Sequence, residues 1–390
     1  MKFGNDLTRE YHLAFIFLAV VCLCNSQVIA EVNVTELITS QRPDGSGLVD
    51  IRFDLVADEP EVTETFVTIS ISPDGGQSWP ITSFSAFFTG DVGADVAIGT
   101  DKHVVWDAAA DRPEVLWPNC RVRVMTHDWI IGLPGEVLLE LVRIPAASFV
   151  MGSPPDERSR YSNEGPQTNV TLTQDFYMGK YELTQAQWLA VIGAWPGTAP
   201  SSVNGIGPNH PAYYVSWNDT QNFITALNAH ITATGQAPTT MRLPTEAEWE
   251  YACRAGTTTR FHFGDSLIGT SGGDDCEDDG LRSQYMWYCG SNSPYGSKPV
   301  GGKLSNAFGL YDMNGNVNEW CQDWYRNRNP GGNVTDPTGP TEQVFGWGRV
   351  IRGANGDSYT RICRSAYRDD YDPSPSGRNS VIGFRLVSFR

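Results

Sequence analysis

No H-E-x-x-H pair, no C-x-x-C after residue 30 and no Gly-rich phosphate loop after a strand occur in this chain. Those gaps exclude a zincin-type protease, a zinc knuckle or thioredoxin-type site, and a P-loop nucleotide enzyme. Positive charge is scarce: 28 Lys+Arg face 45 Asp+Glu, for a net charge of -17. A sequence-independent nucleic-acid binder or a protein held to an anionic membrane surface needs the opposite balance. Beyond residue 30 no apolar run nears the ~20 residues of a membrane-spanning helix. The 6 histidines are scattered, with none at a helical ligand spacing. Gly269-Thr270-Ser271-Gly272-Gly273 spells G-x-S-x-G, but Asp274-Asp275 follows and no apolar strand leads in, so a nucleophile elbow has no support there.

What remains is ample for a folded protein. The 390 residues are 40% hydrophobic with 12 Trp, enough for a core in each of two modules. Residues 1–30 read as a leader: Lys2 and Arg9 precede the apolar run Leu13–Val21, and Val28-Ile29-Ala30 supplies small residues for cleavage after Ala30. The run is short for an anchor, so the expected destination is secretion or the periplasm, with no transmembrane segment. Cleavage leaves Cys120, Cys253, Cys276, Cys289, Cys321 and Cys363, which in an exported chain point to disulfides. Asn33, Asn169, Asn218 and Asn333 each open an N-x-Thr sequon.

Residues 31–128 read as an all-β module, an immunoglobulin-like sandwich. Apolar and charged residues alternate along Val49–Leu55, and apolar and hydroxyl residues along Val67–Ser72. This stretch holds 17 acids and 6 bases, a net of -11, so most of the acidity sits here. It fits a solubilising spacer better than a calcium-dependent adhesive domain. Residues 129–136, with Pro134-Gly135, read as a linker to a second domain at 137–390. There Thr184, Ser216 and Thr245 are followed three residues later by Gln187, Asp219 and Glu248, the capping-box pattern of helix starts. From about residue 255 the chain is dense in Gly, Asn, Asp and Trp. The strongest local signal is Asp312–Trp320, where Asp312 and Glu319 bracket a Gly/Asn turn. Two hard carboxylates beside main-chain oxygens suit calcium.

Six segments then fall in a recognisable order: Met151-Gly152-Ser153, Phe176–Thr184, Val215-Ser216-Trp217, Arg242–Tyr251, Asn306–Met313 and Gly383-Phe384-Arg385-Leu386. Over about 137–390 the chain resembles the formylglycine-generating enzyme (sulfatase-modifying factor) family. The resemblance implies an α+β, C-type-lectin-like fold with little regular structure. It also implies a structural calcium held by the carboxylates of Asp312 and Glu319 and the carbonyls of Gly315 and Val317. Asn318 stands where the family commonly carries Trp, and Tyr285–Val300 matches a second family calcium site poorly.

The family's enzymes oxidise a sulfatase cysteine with oxygen and a copper ion held by two cysteines, which follow an Arg-Gly-Gly-Ser segment. Here that segment reads Arg352-Gly353-Ala354-Asn355, and Cys363 is the one cysteine after it. One thiolate holds Cu(I) poorly, so copper is not expected. The resemblance assigns Cys363 to a disulfide with Cys253, and proximity pairs Cys276 with Cys289. The expected function is therefore a calcium-stabilised, non-catalytic scaffold. Its C-terminal loops, with Asn355, Asp357 and Tyr359, would face a protein or glycan ligand. The alternative is an oxidoreductase of the formylglycine-generating type, using Cys363 or a relocated Cys289 or Cys321, or another enzyme with a divergent site. A sulfoxide-synthase reading fails, because residues 31–128 offer only His103 and His127 to a partner domain that should be rich in histidine.

Overall fold

The computed structural model describes residues 32–389 except 58–62, 74–80, 83–86, 112–119, 128, 237–239, 266–275, 278–279 and 371–373. The leader at 1–30 and the Gly269–Gly273 match therefore lie outside the described residues. The chain divides into two compact units, one ending at Thr126 and the other beginning at His127.

The first unit is built from two antiparallel sheets. One runs in the order Val32–Gln41, Leu48–Ala57, Gly99–Asp107, Phe88–Gly90. The other places Glu64–Ser72 between Ile81–Thr82 and Gly93–Ala97, and Arg121–His127 also pairs with Glu64–Ser72. The period-2 pattern explains the core. Ile51, Phe53 and Leu55 from the first sheet and Val67, Ile69 and Ile71 from the second are all buried in one cluster with Trp106.

The second unit is α+β. Its three longer helices, Gln185–Ile192, Trp217–Thr234 and Glu246–Arg254, start at Thr184, Ser216 and Thr245. In each, the cap hydroxyl accepts from the N–H three residues on, and that residue's side chain returns to the cap N–H. The first two end on left-handed glycines, Gly193 and Gly235, but the third ends on Ala255 at φ 45°. A side chain is strained there, so Ala255→Gly should raise stability by about 0.5–1 kcal/mol in urea unfolding. A variant no more stable than the native protein would show that Ala255's buried methyl outweighs the strain.

Residues 129–136, read above as a linker, are instead part of this unit. Trp129–Leu133 pairs with Val137–Ile144, and Trp129, Ile130, Ile131 and Leu133 are buried. Gly135 and Glu136, both at positive φ, turn the hairpin. The Pro-Gly signal was a tight turn between two apolar strands rather than a tether. That four-stranded sheet continues through Phe176–Gly179 to Val387–Ser388, so the start and end of the unit form the two edges of one sheet.

With little regular structure, the second unit leans on buried ion pairs. Arg254 and Arg352 hold Glu250, Arg368 holds Glu246, Arg364 holds Glu164 and Arg385 holds Glu319, and every one of these side chains is nearly or wholly buried. Such pairs fix loops that no ladder fixes, because breaking one strands a charge away from water.

Candidate functional site

The turn at 312–319 is shaped by close packing. Asn306 Oδ1 accepts from Phe308 N and Leu310 N, and its amide donates to Ala252 O at 2.7 Å, which seats the loop on the helix Glu246–Arg254. Gly315 is at φ +113°, and a Cβ there would lie 1.9 Å from Trp287 O. Only glycine fits that approach.

Around the turn stand three buried carboxylates and one guanidinium. Glu319 accepts from Arg385 Nη2 and Nε at 2.7 Å each, and from Trp249 Nε1 at 2.7 Å. Glu182 accepts from Val317 N at 3.0 Å and from Asn316 Nδ2 at 2.6 Å. Asp312 Oδ2 accepts from Gly301 N at 2.7 Å, while Oδ1 is buried without a partner. Burial pushes the Asp312 carboxyl up to about 6. Burial, with the charges of Asp312 and Glu319, pushes Glu182 well above the usual carboxylate range. Lys303 also acts on Asp312, yet three carboxylates crowd together here and one buried oxygen is orphaned, which is what a hard cation would relieve. Among the described residues no three His, Cys, Asp or Glu side chains converge as metal ligands. Main-chain oxygens would have to complete any cation site here. Glu319, expected as a ligand, already has both oxygens engaged.

The segment after Arg352 forms the rim of a shallow concavity lined by Asn204, Asn292, Tyr295, Asn316, Asn355 and Asp357. Asn355 Oδ1 accepts from Asp357 N at 2.9 Å, and Asp357 accepts from Asn292 Nδ2 at 3.2 Å. Asn355 is half-buried, whereas Asp357 and Tyr359 are exposed, with Arg361 stacked on the Tyr359 ring. Exposed Tyr295 adds apolar surface to the rim, where Gly296 packs on the main chain of Val203 and Asn204. The concavity's volume is about 10 Å³, roughly one water, so a ligand would lie across it rather than sink into it. The Asn355, Asp357 and Tyr359 predicted from sequence thus lie on one loop. Asn204, Asn292 and Tyr295 come from loops that share no motif with it, so nothing in the sequence pointed to them.

The cysteines divide in an unexpected way. Cys276 and Cys289 are bonded. The disulfide expected between Cys253 and Cys363 is not formed: both thiols are free. The Cys253 sulfur faces Met313 O and Ser365 Oγ, whereas the Cys363 sulfur faces Tyr359 O, so the two are turned to different partners. Burial pushes Cys253 up to about 11 and Cys363 up to about 12, and raises Cys321 well above its usual range. None of these buried thiols offers a thiolate near neutral pH.

Residues 134–389 match the sulfatase-modifying factor enzyme 1-like domain. The chain belongs to the sulfatase-modifying factor family. It is 31% identical over 309 residues to the formylglycine-generating enzyme of Mus musculus, spanning 64% of this chain and 75% of that protein. The corresponding enzyme of Streptomyces coelicolor is 36% identical over 224 residues, spanning 52% of this chain and 60% of that protein. A protein named chaperone protein LppX, from Paenibacillus barcinonensis, is 32% identical over 264 residues, spanning 59% of this chain and 84% of that one. Among solved structures, Treponema denticola variable protein 1 superposes with a TM-score of 0.53 at 28% identity, over 66% of this chain and 97% of that one. PvdO from Pseudomonas aeruginosa gives 0.52 at 29% identity, over 64% and 94%. The family fold thus underlies the second unit, and no helix among the described residues is long and apolar enough to cross a membrane.

Proposed function

We propose that this protein is a secreted or periplasmic, non-catalytic member of the sulfatase-modifying factor family that binds a protein or glycan across the 352–382 loops. The observation that carries this reading is the state of the thiols. In the second unit every free cysteine is buried, and the loop after Arg352 has only Cys363. Copper chemistry needs two accessible thiolates to hold Cu(I). The amide- and tyrosine-rich rim around Asn355, Asp357 and Tyr359 suits adaptable contacts instead. Likeness to a protein named a variable protein supports a scaffold that tolerates changing loops. The first unit, read as an immunoglobulin-like sandwich, serves as an acidic spacer, and the leader ends at Ala30.

A second reading, copper- and oxygen-dependent oxidation of a sulfatase cysteine, is favoured by one observation. Cys289 N donates to Ser358 O at 3.1 Å, so the Cys276–Cys289 pair adjoins the same loop. Incubating the protein, as isolated and after mild reduction, with Cu(I), oxygen and a Cys-x-Pro-x-Arg peptide separates the two. The scaffold reading expects no change in peptide mass in either state. Formylglycine product that disappears in Cys363→Ser or Cys289→Ser overturns it.

The scaffold is calcium-stabilised in this reading. Asp312 Oδ1 and the carbonyls of Gly315 and Val317 would hold the ion, with Glu319 fixed beside them by Arg385. The orphaned oxygen and the crowding of Asp312, Glu182 and Glu319 support that assignment. Calcium at about 100 times its dissociation constant should stabilise the fold by about 2.7 kcal/mol, since it binds the native state alone. Chelator should therefore lower the melting temperature of the native protein and leave that of Asp312→Ala unmoved. Identical melting curves of the native protein with and without calcium would remove the ion from the account.

A further inference from the structure

A second cavity in the family domain shares no residue with the concavity above. Its volume is about 400 Å³, within the ~300–1,000 Å³ typical of small-molecule sites. Met151, Val170, Ala247, Val334 and Pro337 give it apolar walls, and Asp323, Glu246, Arg326 and Arg368 bring charge to it. Asp323 lies next to the end of the strand segment Asn318–Trp324 and is 4% exposed. Its Oδ2 accepts from Glu246 N at 3.0 Å, at the start of the helix Glu246–Arg254. Over it, Gly339 comes so near that a Cβ would lie 2.7 Å from Oδ1.

The neighbouring charges are committed elsewhere. Glu246 is held by Arg368, Glu248 by Arg242, and Glu250 by Arg254 and Arg352. Arg349, left without a carboxylate among the described residues, is stacked between Trp217 and Trp324 and donates to Gln322 O, with its Nε unpartnered. Among the described residues Asp323 has no ion-pair partner, although it is as buried as its paired neighbours. On the same wall, Asn329 leaves its buried Oδ1 without a donor. Arg368, on the cavity wall, is held by Glu246, and Arg326 lies at its exposed side, so the buried carboxyl between apolar walls selects for an apolar molecule that brings its own positive charge.

We propose that this cavity binds a small organic amine, its hydrocarbon body against Met151, Val170 and Val334 and its ammonium on the Asp323 carboxylate. Binding at neutral pH then has a defined proton balance. Burial, with the charge of Glu246 next, pushes the Asp323 carboxyl up to about 8, so it is largely protonated when the cavity is empty. The ammonium keeps its proton, the Asp323 O–H bond breaks, and that proton leaves to the buffer.

Hexylamine, hexan-1-ol and hexanoate serve as matched probes in titration calorimetry on the full-length protein. Hexylamine is expected to bind at least about tenfold more tightly than hexan-1-ol, as a charge-assisted contact should give. Its enthalpy should vary with the buffer's ionisation heat, reporting a proton released at pH 6–7 and vanishing above pH 9. Asp323→Asn should bring hexylamine down to the level of hexan-1-ol. Val334→Trp, which narrows the cavity without touching the carboxyl, should abolish binding of both. Equal binding of amine and alcohol, preferential binding of hexanoate, survival of the amine preference in Asp323→Asn, or no binding of hexylamine would each overturn the proposal. None of these outcomes depends on what the 352–382 loops bind.

Discussion

Arg385→Met is expected to cost about 3–5 kcal/mol in urea unfolding, the usual consequence of removing one partner of a buried ion pair. Arg385 is wholly buried, and its charge faces Glu319, Glu182 and Asp312. Its guanidinium also donates to Gly179 O and Tyr311 O, so the Met variant orphans two carbonyls besides the carboxylates. The side chain ties the C-terminal segment to the strand Phe176–Gly179 and to the turn at 312–319. Its loss should therefore loosen both together. Arg385→Met with Glu319→Gln should recover part of the loss, since one stranded charge is gone. The single variant should also be hurt more in chelator than in calcium, because a bound cation would take over part of the neutralisation. A single variant within about 1 kcal/mol of native would mean that the cluster is already neutral or solvated.

The features legible in the sequence are those encoded within a few residues. Thr184, Ser216 and Thr245 announced their helices because a capping box closes over three positions. The strands of the first unit were visible because a period of 2 survives in any half-buried sheet. The turn at 312–319 was visible because carboxylates and glycine fall close together. What could not be read was which distant charge completes each cluster. Glu182 reaches Val317 across 135 positions and Arg385 reaches Glu319 across 66. Both residues lie in segments that carry the family resemblance, yet an isolated Glu or Arg has no local pattern that reveals its partner. The Trp129–Leu133 strand was hidden by the Pro-Gly beside it, since one dipeptide serves both tight turns and linkers. Cys253 and Cys363 show a related limit: a sequence lists thiols but does not say which way each sulfur faces.

Asp323 is the clearest case of a residue whose chemistry comes wholly from its surroundings, and it governs the second large effect. In Gln322-Asp323-Trp324 it reads as an ordinary acid in an alternating strand. In the fold it is buried and faces Glu246 and Glu248 as well as Arg368 and Arg349. Its carboxyl lies at about 8 against an unperturbed 3.8. The native state therefore holds a proton that the unfolded chain gives up on passing pH 4. Stability should be full below about pH 4 for this group and fall as pH rises towards 8. At ~1.4 kcal/mol per pH unit the loss is several kcal/mol, with an upper bound of ~6. Asp323→Asn keeps an acceptor for Glu246 N but cannot ionise. It should flatten this part of the curve and unfold at higher urea than the native protein at pH 8.5, while the two converge as pH falls to about 4. Hexylamine should act in the same direction on the native protein and do nothing for the Asn variant. Parallel stability curves for native and Asp323→Asn between pH 5 and 8.5 would place the Asp323 carboxyl in its usual range, with water or a cation already serving it.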